Sequence, residues 1–144
     1  MENKDLAVEY FNKRYHCSQA VLAAYAKECG ITTEQALKLG ACFGSGMRKG
    51  EVCGAATGAL MVLGLLFGNT EPLDREVSNK VNDEFLKRFK EKNKSYICNE
   101  LLGCDMKTTE GINYAKSKNL FTDFCPLMVY NACEIIDELI EEMK

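Results

Sequence analysis

Apolar residues recur at helical spacing along almost the whole chain, and no stretch alternates apolar and polar positions long enough to predict a strand. The first periodic segment predicts a helix over about Asp5–Lys13, with Leu6, Tyr10 and Phe11 on one side. A second runs from about His16 to Cys29 and stops at Gly30, which can take the left-handed conformation that closes a helix. Thr32 and Gln35 stand at capping-box spacing and open a short helix to about Leu39. After the glycine-rich stretch Gly40–Gly50 comes Glu51–Phe67, apolar on every face and therefore expected to be a buried central helix ending at Gly68-Asn69.

Pro72 suits the first turn of a further helix, about Leu73–Lys92, whose basic run Lys87, Arg88, Lys90, Lys92 and Lys94 reads as a solvated face. A shorter helix is expected after Ser95 and another around Glu110–Lys118. The last runs from Pro126 to about Met143, with Val129, Ala132, Cys133, Ile136, Leu139 and Ile140 as its buried stripe. The expected fold class is all-α, a single compact multi-helix bundle around the central apolar helix. No linker, repeat or shift in composition divides it, so residues 1–144 are read as one domain.

Composition changes this picture at one point. A 47% apolar and 27% charged balance is that of a globular chain, and a net charge of −3 predicts no nucleic-acid footprint. No apolar run reaches the roughly 18 residues of a membrane span, so no membrane insertion is expected. The opening residues Met1–Leu6 do not read as a signal peptide, which places the chain by expectation in the cytoplasm. There, eight cysteines are unusual. In a reducing compartment they point to metal binding, catalysis or redox chemistry rather than to structural disulfides.

Their placement narrows the choice. The glycines Gly44, Gly46 and Gly50 lack nucleotide-binding spacing and follow no strand. They instead lead into the N-terminus of the central helix, where free N–H groups favour an anion. Cys53 falls in that first turn, just after Arg48 and Lys49, and is expected to have a depressed thiol pKa. Cys17, Cys98 and Cys125 also fall at helix starts, Cys98 three residues after the expected cap Ser95. Cys29 and Cys133 read as core, Cys42 as a residue that could face the same site as Cys53, and Cys104 as a spare or resolving thiol. No CxxC pair occurs, and the one histidine, His16, reads as a surface residue at a helix start.

The segments Tyr15–Leu22, Phe43–Gly46 and Val52–Ala59, the last containing Cys53-Gly54-Ala55-Ala56-Thr57-Gly58, resemble the C_GCAxxG_C_C family of redox-active proteins. That family is defined by four cysteines and a CGAxxG motif. Cys98 and Cys125 match its third and fourth cysteines, and Cys29, Cys42, Cys104 and Cys133 lie outside the pattern. The resemblance implies redox activity and supports the same four thiols.

Three functions compete. Cys17, Cys53, Cys98 and Cys125 could ligate an iron–sulfur cluster or a soft ion such as zinc or copper(I). Alternatively, Cys53 attacks and Cys17 resolves in metal-free dithiol/disulfide chemistry, with a redox partner protein or a small thiol as counterpart. The third reading is a structural zinc domain or helical adaptor. Any of the three is compatible with a homo-oligomer.

Overall fold

The computed structural model describes residues 1–144 and contains ten α-helices, with no strand beyond a single antiparallel bridge between Val52 and Ile97. They are α1 (Asn3–Asn12), α2 (Cys17–Ala24), α3 (Ala26–Cys29), α4 (Thr33–Leu39), α5 (Gly54–Phe67), α6 (Glu76–Asn93), α7 (Cys98–Leu102), α8 (Thr109–Ser117), α9 (Leu120–Asp123) and α10 (Cys125–Glu142). The all-α class follows directly. No helix is long and apolar enough to cross a membrane.

The bundle is organised by two glycines. A Cβ on Gly58 would lie 2.8 Å from the Ser18 carbonyl oxygen, and one on Gly54 would lie 3.2 Å from Cys17 Cβ. Small residues here let α5 seat directly on the first turns of α2, so the small face of α5 serves helix packing. Ser18 is fully buried and donates to the Gly40 carbonyl at 2.6 Å, which draws the end of α4 onto the same place. Helices α1, α6 and α10 close around this crossing. Phe85 and Phe89 repeat at helical spacing on α6, and with Leu22, Leu63, Val129 and Ile136 they fill the main core.

Several expectations are corrected. The second helix breaks at Tyr25, whose side chain is fully buried and whose hydroxyl lies 2.6 Å from Asp137 Oδ1 on α10. That anchor, rather than helical continuity, fixes the chain there. Helix α5 begins at Gly54, later than expected, because Val52 is held in the bridge. Its second half is not enclosed: Gly64 and Leu65 are exposed. Thr57 is only half-buried and donates to the Gly54 carbonyl. Helix α6 starts at Glu76 rather than Leu73, leaving Pro72 in a turn. Its basic run is more than a solvated face, since Arg88 pairs with Glu84, Glu138 and Glu142 and Lys92 pairs with Glu134, tying α6 to α10. The capping box of Thr32 with Gln35 forms as expected.

A second, smaller core lies at one end of the bundle and contains Cys98, Leu102, Met106, Ala115 and Cys125. It sits beneath α7, α8 and the short α9, which the sequence pattern did not reveal. The seam between the two cores is where the site forms.

Candidate functional site

The four helix-start cysteines are positioned by four different local devices. Cys17 is the first residue of α2, after a start in which the His16 N–H donates to the Gln19 side chain at 2.9 Å. Cys53 is the N-terminal cap of α5, one position earlier than a first-turn residue. Cys98 opens α7 after Ile97, and the Ser95 hydroxyl accepts from the Ile97 N–H at 3.0 Å. Cys125 opens α10, with Pro126 supplying a first-turn residue that needs no N–H partner.

The Val52–Ile97 bridge joins two of these starts. The Cys53 N–H donates to the Tyr96 carbonyl at 2.7 Å, and the Cys98 N–H donates to the Glu51 carbonyl at 2.6 Å. Backbone bonds from the two cysteines themselves therefore fix their separation. The loop feeding the bridge makes a left-handed turn, with Ser45, Gly46, Met47 and Arg48 all at φ between 53° and 61°. Non-glycine residues in that region are costly. The bridge and a Glu51 N–H bond to the Gly46 carbonyl at 3.1 Å hold the turn in place.

Cys17, Cys53, Cys98 and Cys125 line one cavity of about 590 Å³. Its walls are largely apolar and aromatic, including Phe11, Tyr15, Leu101, Phe121 and Phe124. Cys53, Cys98 and Cys125 are buried, and Cys17 is half-buried. All eight cysteines are free thiols.

Proton affinity separates the four. The Cys17 and Cys125 thiols are close enough to shift each other's ionisation. That interaction lowers the Cys125 pKa against the effect of its burial. The same contact, followed by burial and the neighbouring sulfurs, holds the Cys17 proton well above the ordinary thiol range. The ionisation of each thiol therefore depends on the state of the other. Burial pushes Cys53 up to about 11, outweighing the backbone N–H groups of Ala55 and Ala56 that favour its thiolate. Cys98 is pushed up to about 12 by burial and by the sulfurs of Cys53, Cys125 and Cys104.

The expected depression of the Cys53 pKa is thus overturned, and Cys125 is the thiol that ionises first. The helix start acts on Cys53 as anticipated, but desolvation acts more strongly. Arg48 and Lys49 offer no help, being exposed and outside the cavity lining. The position of Cys125 at the head of an 18-residue helix was visible in the sequence. Its Cys17 neighbour was not.

Among the other cysteines, Cys42 is exposed on the loop and does not line the cavity. Cys104 is half-buried behind Cys98, and burial followed by Asp105 and Cys125 raises its pKa. Cys29 is half-buried, and Cys133 is fully buried in the main core. His16 lies at the cavity mouth, where a Cβ on Gly44 would meet its ring.

No three Cys, His, Asp or Glu side chains are arranged to hold a metal ion. Sequence reasoning also missed the cationic rim of Arg14 and Lys116 and the aromatic wall from α9. Both belong to segments whose periodicity is too short to place in space.

The model of a family described as "Putative redox-active protein (C_GCAxxG_C_C)" matches residues 15–139 of the chain. No curated protein and no solved structure matches it.

Proposed function

The chain belongs to this redox-active family, and on that premise we propose that it performs thiol–disulfide exchange, with Cys125 as the attacking thiolate and Cys17 as the resolving thiol. The observation that supports this reading is that Cys17 and Cys125 line one cavity large enough for a small molecule, with the Cys17 thiol favouring the Cys125 thiolate. The thiolate is the nucleophile, and the attacking thiol works best when its pKa lies near the ambient pH. Cys125 alone among the cavity thiols is shifted in that direction.

The steps balance as follows. The Cys125 thiolate attacks one sulfur of a disulfide RSSR, forming Cys125–S–SR and releasing RS⁻. Cys125 then carries no charge, so the interaction that held the Cys17 proton is gone. That proton passes to RS⁻, giving RSH. The Cys17 thiolate attacks Cys125 in the mixed disulfide, forming the Cys17–Cys125 disulfide and releasing a second RS⁻. Two electrons move from the two cysteines to RSSR, and excess RSH runs the sequence backward. Cys53 and Cys98 stay protonated at neutral pH. They line the same cavity as the pair.

A ligated metal or cluster is supported by the shared cavity and the four-cysteine pattern, but it would require sulfurs to move together from where they stand. The deciding experiment is mass spectrometry of reduced, metal-stripped protein after one equivalent of a small disulfide. Wild type should accumulate an intramolecular Cys17–Cys125 disulfide. Cys17→Ser should stop at the mixed disulfide on Cys125, and Cys125→Ser should form neither. Disulfide formation undiminished in Cys125→Ser, or stoichiometric iron or zinc uptake requiring all four cysteines, would overturn the reading.

A further inference from the structure

The cavity is selective in its charge. None of its 19 lining residues is Asp or Glu, although the chain as a whole carries a net charge of −3. Arg14 and Lys116 both line it, from the end of α1 and from α8. Both are exposed, and neither belongs to any of the ion pairs of the molecule. Only six of the eighteen Lys and Arg residues are ion-paired, so what sets these two apart is that they share one opening with no carboxylate. Phe11, Tyr15, Phe121 and Phe124 line the same cavity as the sulfurs.

The backbone at the rim adds a separate observation. Arg14 sits at φ 82° and Asn119 at φ 57°, both in the left-handed region. Glycine would occupy the Arg14 position without the Cβ penalty, and the arginine there accepts that penalty. Strained non-glycine residues gather at ligand clamps. At Arg14 the strain coincides with an unpaired guanidinium at a cavity mouth.

We propose that the cavity binds a small organic disulfide bearing carboxylates, its anionic groups held by Arg14 and Lys116 and its sulfur–sulfur bond reaching the cysteines. The volume of about 590 Å³ accepts such a molecule whole. It falls within the range of pockets that enclose small ligands. An extended cationic partner meets the wrong charge at the opening. This assignment rests on the thiol–disulfide reading for the identity of the reacting bond, but the anion preference stands on the cavity itself.

The test uses three disulfides of different charge on the reduced full chain: dianionic dithiobis(nitrobenzoate), neutral dithiodipyridine and dicationic cystamine. Each rate at Cys125 is divided by the rate of N-acetylcysteine with the same reagent, which removes intrinsic reactivity. The anionic-to-cationic ratio should exceed that of the free thiol by about tenfold or more, and fall with added salt, as focused charge requires. Arg14→Ala combined with Lys116→Ala should collapse that ratio, whereas Lys80→Ala combined with Lys87→Ala, an equal charge change outside the cavity lining, should leave it in place. All these side chains are exposed, and circular dichroism checks that the variants fold.

A parallel NMR titration with 4-nitrobenzoate, which has no disulfide, reports binding alone. Saturable shifts at the cavity residues that vanish in the double variant support the anion site even if Cys125 proves unreactive. Exchange at Cys125 with no charge preference, or 4-nitrobenzoate binding unaffected by the double variant, overturns the anion site while leaving the thiol chemistry standing.

Discussion

Cys125 and Cys133 lie two turns apart on the same helix, both buried, and the structure gives them opposite chemistry. Cys133 is fully enclosed in the main core, and burial followed by the Asp137 carboxylate drives its pKa upward. Cys125 is 8% exposed, and its burial acts in the same direction. What differs is the neighbour. Beside Cys133 stands a carboxylate that opposes a second negative charge, with the Tyr25 hydroxyl already 2.6 Å from it. Beside Cys125 stands a thiol that can lend its proton. Burial alone therefore does not distinguish a core cysteine from a working one. The Tyr25 hydroxyl also favours the Cys133 thiolate but is outweighed by burial and Asp137, whereas at Cys125 the Cys17 thiol outweighs burial.

The contrast should be largest in reactivity. Alkylation of the reduced protein at pH 7.5, read by peptide mass spectrometry, should modify Cys125 about a thousandfold faster than Cys133 or more. Cys133 can react only when the core opens, and core opening costs several kcal/mol. Comparable rates at the two sites would break the comparison outright.

The wall thiols sharpen it through stability. Folded Cys53 and Cys98 hold their protons to about 11 and about 12, whereas an unfolded thiol releases its proton near 9. The folded state thus binds more protons above pH 9. Their contribution is fully present below that value and is lost as pH rises through it toward 11 and 12. By pH 10.5 the loss should be about 2 kcal/mol per site, or about 4 kcal/mol for both. Urea midpoints at pH 8 and pH 10.5 measure it, with Cys53→Ala and Cys98→Ala each expected to flatten the slope. A slope identical to wild type in both variants would mean that the walls are wetter than the structure shows.

A smaller effect comes from the helix crossing that seats Cys17. Gly58→Ala sets a methyl group 2.8 Å from the Ser18 carbonyl and 3.1 Å from Ser18 Cα. Overpacking of this kind costs about 2 kcal/mol, after a gain of up to about 1 kcal/mol from better helix propensity. The thermal midpoint should drop by about 5 °C. As α2 shifts, the Cys125 titration should move back toward an ordinary thiol while Cys133 stays as it was. A drop in stability with no change at Cys125 would separate the crossing from the pair.

Much of this was legible from the residues. The all-α class, the capping box at Thr32 and the core stripe from Val129 to Leu139 follow from spacing, because helical periodicity is local. Four cysteines at helix starts were also legible, since caps and stops are written in sequence. The identity of the most acidic thiol was not. It depends on Cys17 meeting Cys125, a contact across 108 positions of chain, and on desolvation at Cys53, which no local signal reports. The half-open end of α5 was missed for a related reason. Apolar faces all round predict burial, but Leu65 lies beyond the reach of the helices that cover the first half.

The smallest expected effect tests the Cys17–Cys125 pair itself. Cys17→Ala removes the donor, so the Cys125 thiolate loses the interaction that favours it and keeps the burial that does not. Its titration midpoint should rise, and its alkylation rate at pH 7 should fall several-fold. Cys17→Ser replaces the weak S–H donor by a stronger O–H donor in nearly the same place. Serine cannot resolve a mixed disulfide, but it can still donate to Cys125. The rate at Cys125 in Cys17→Ser should therefore stay near the wild-type value while the intramolecular disulfide is lost. Equal slowing in Cys17→Ala and Cys17→Ser would show that Cys17 acts on Cys125 by packing alone. The difference between Cys125 and Cys133 would then have to come from the cavity rather than from the neighbouring thiol.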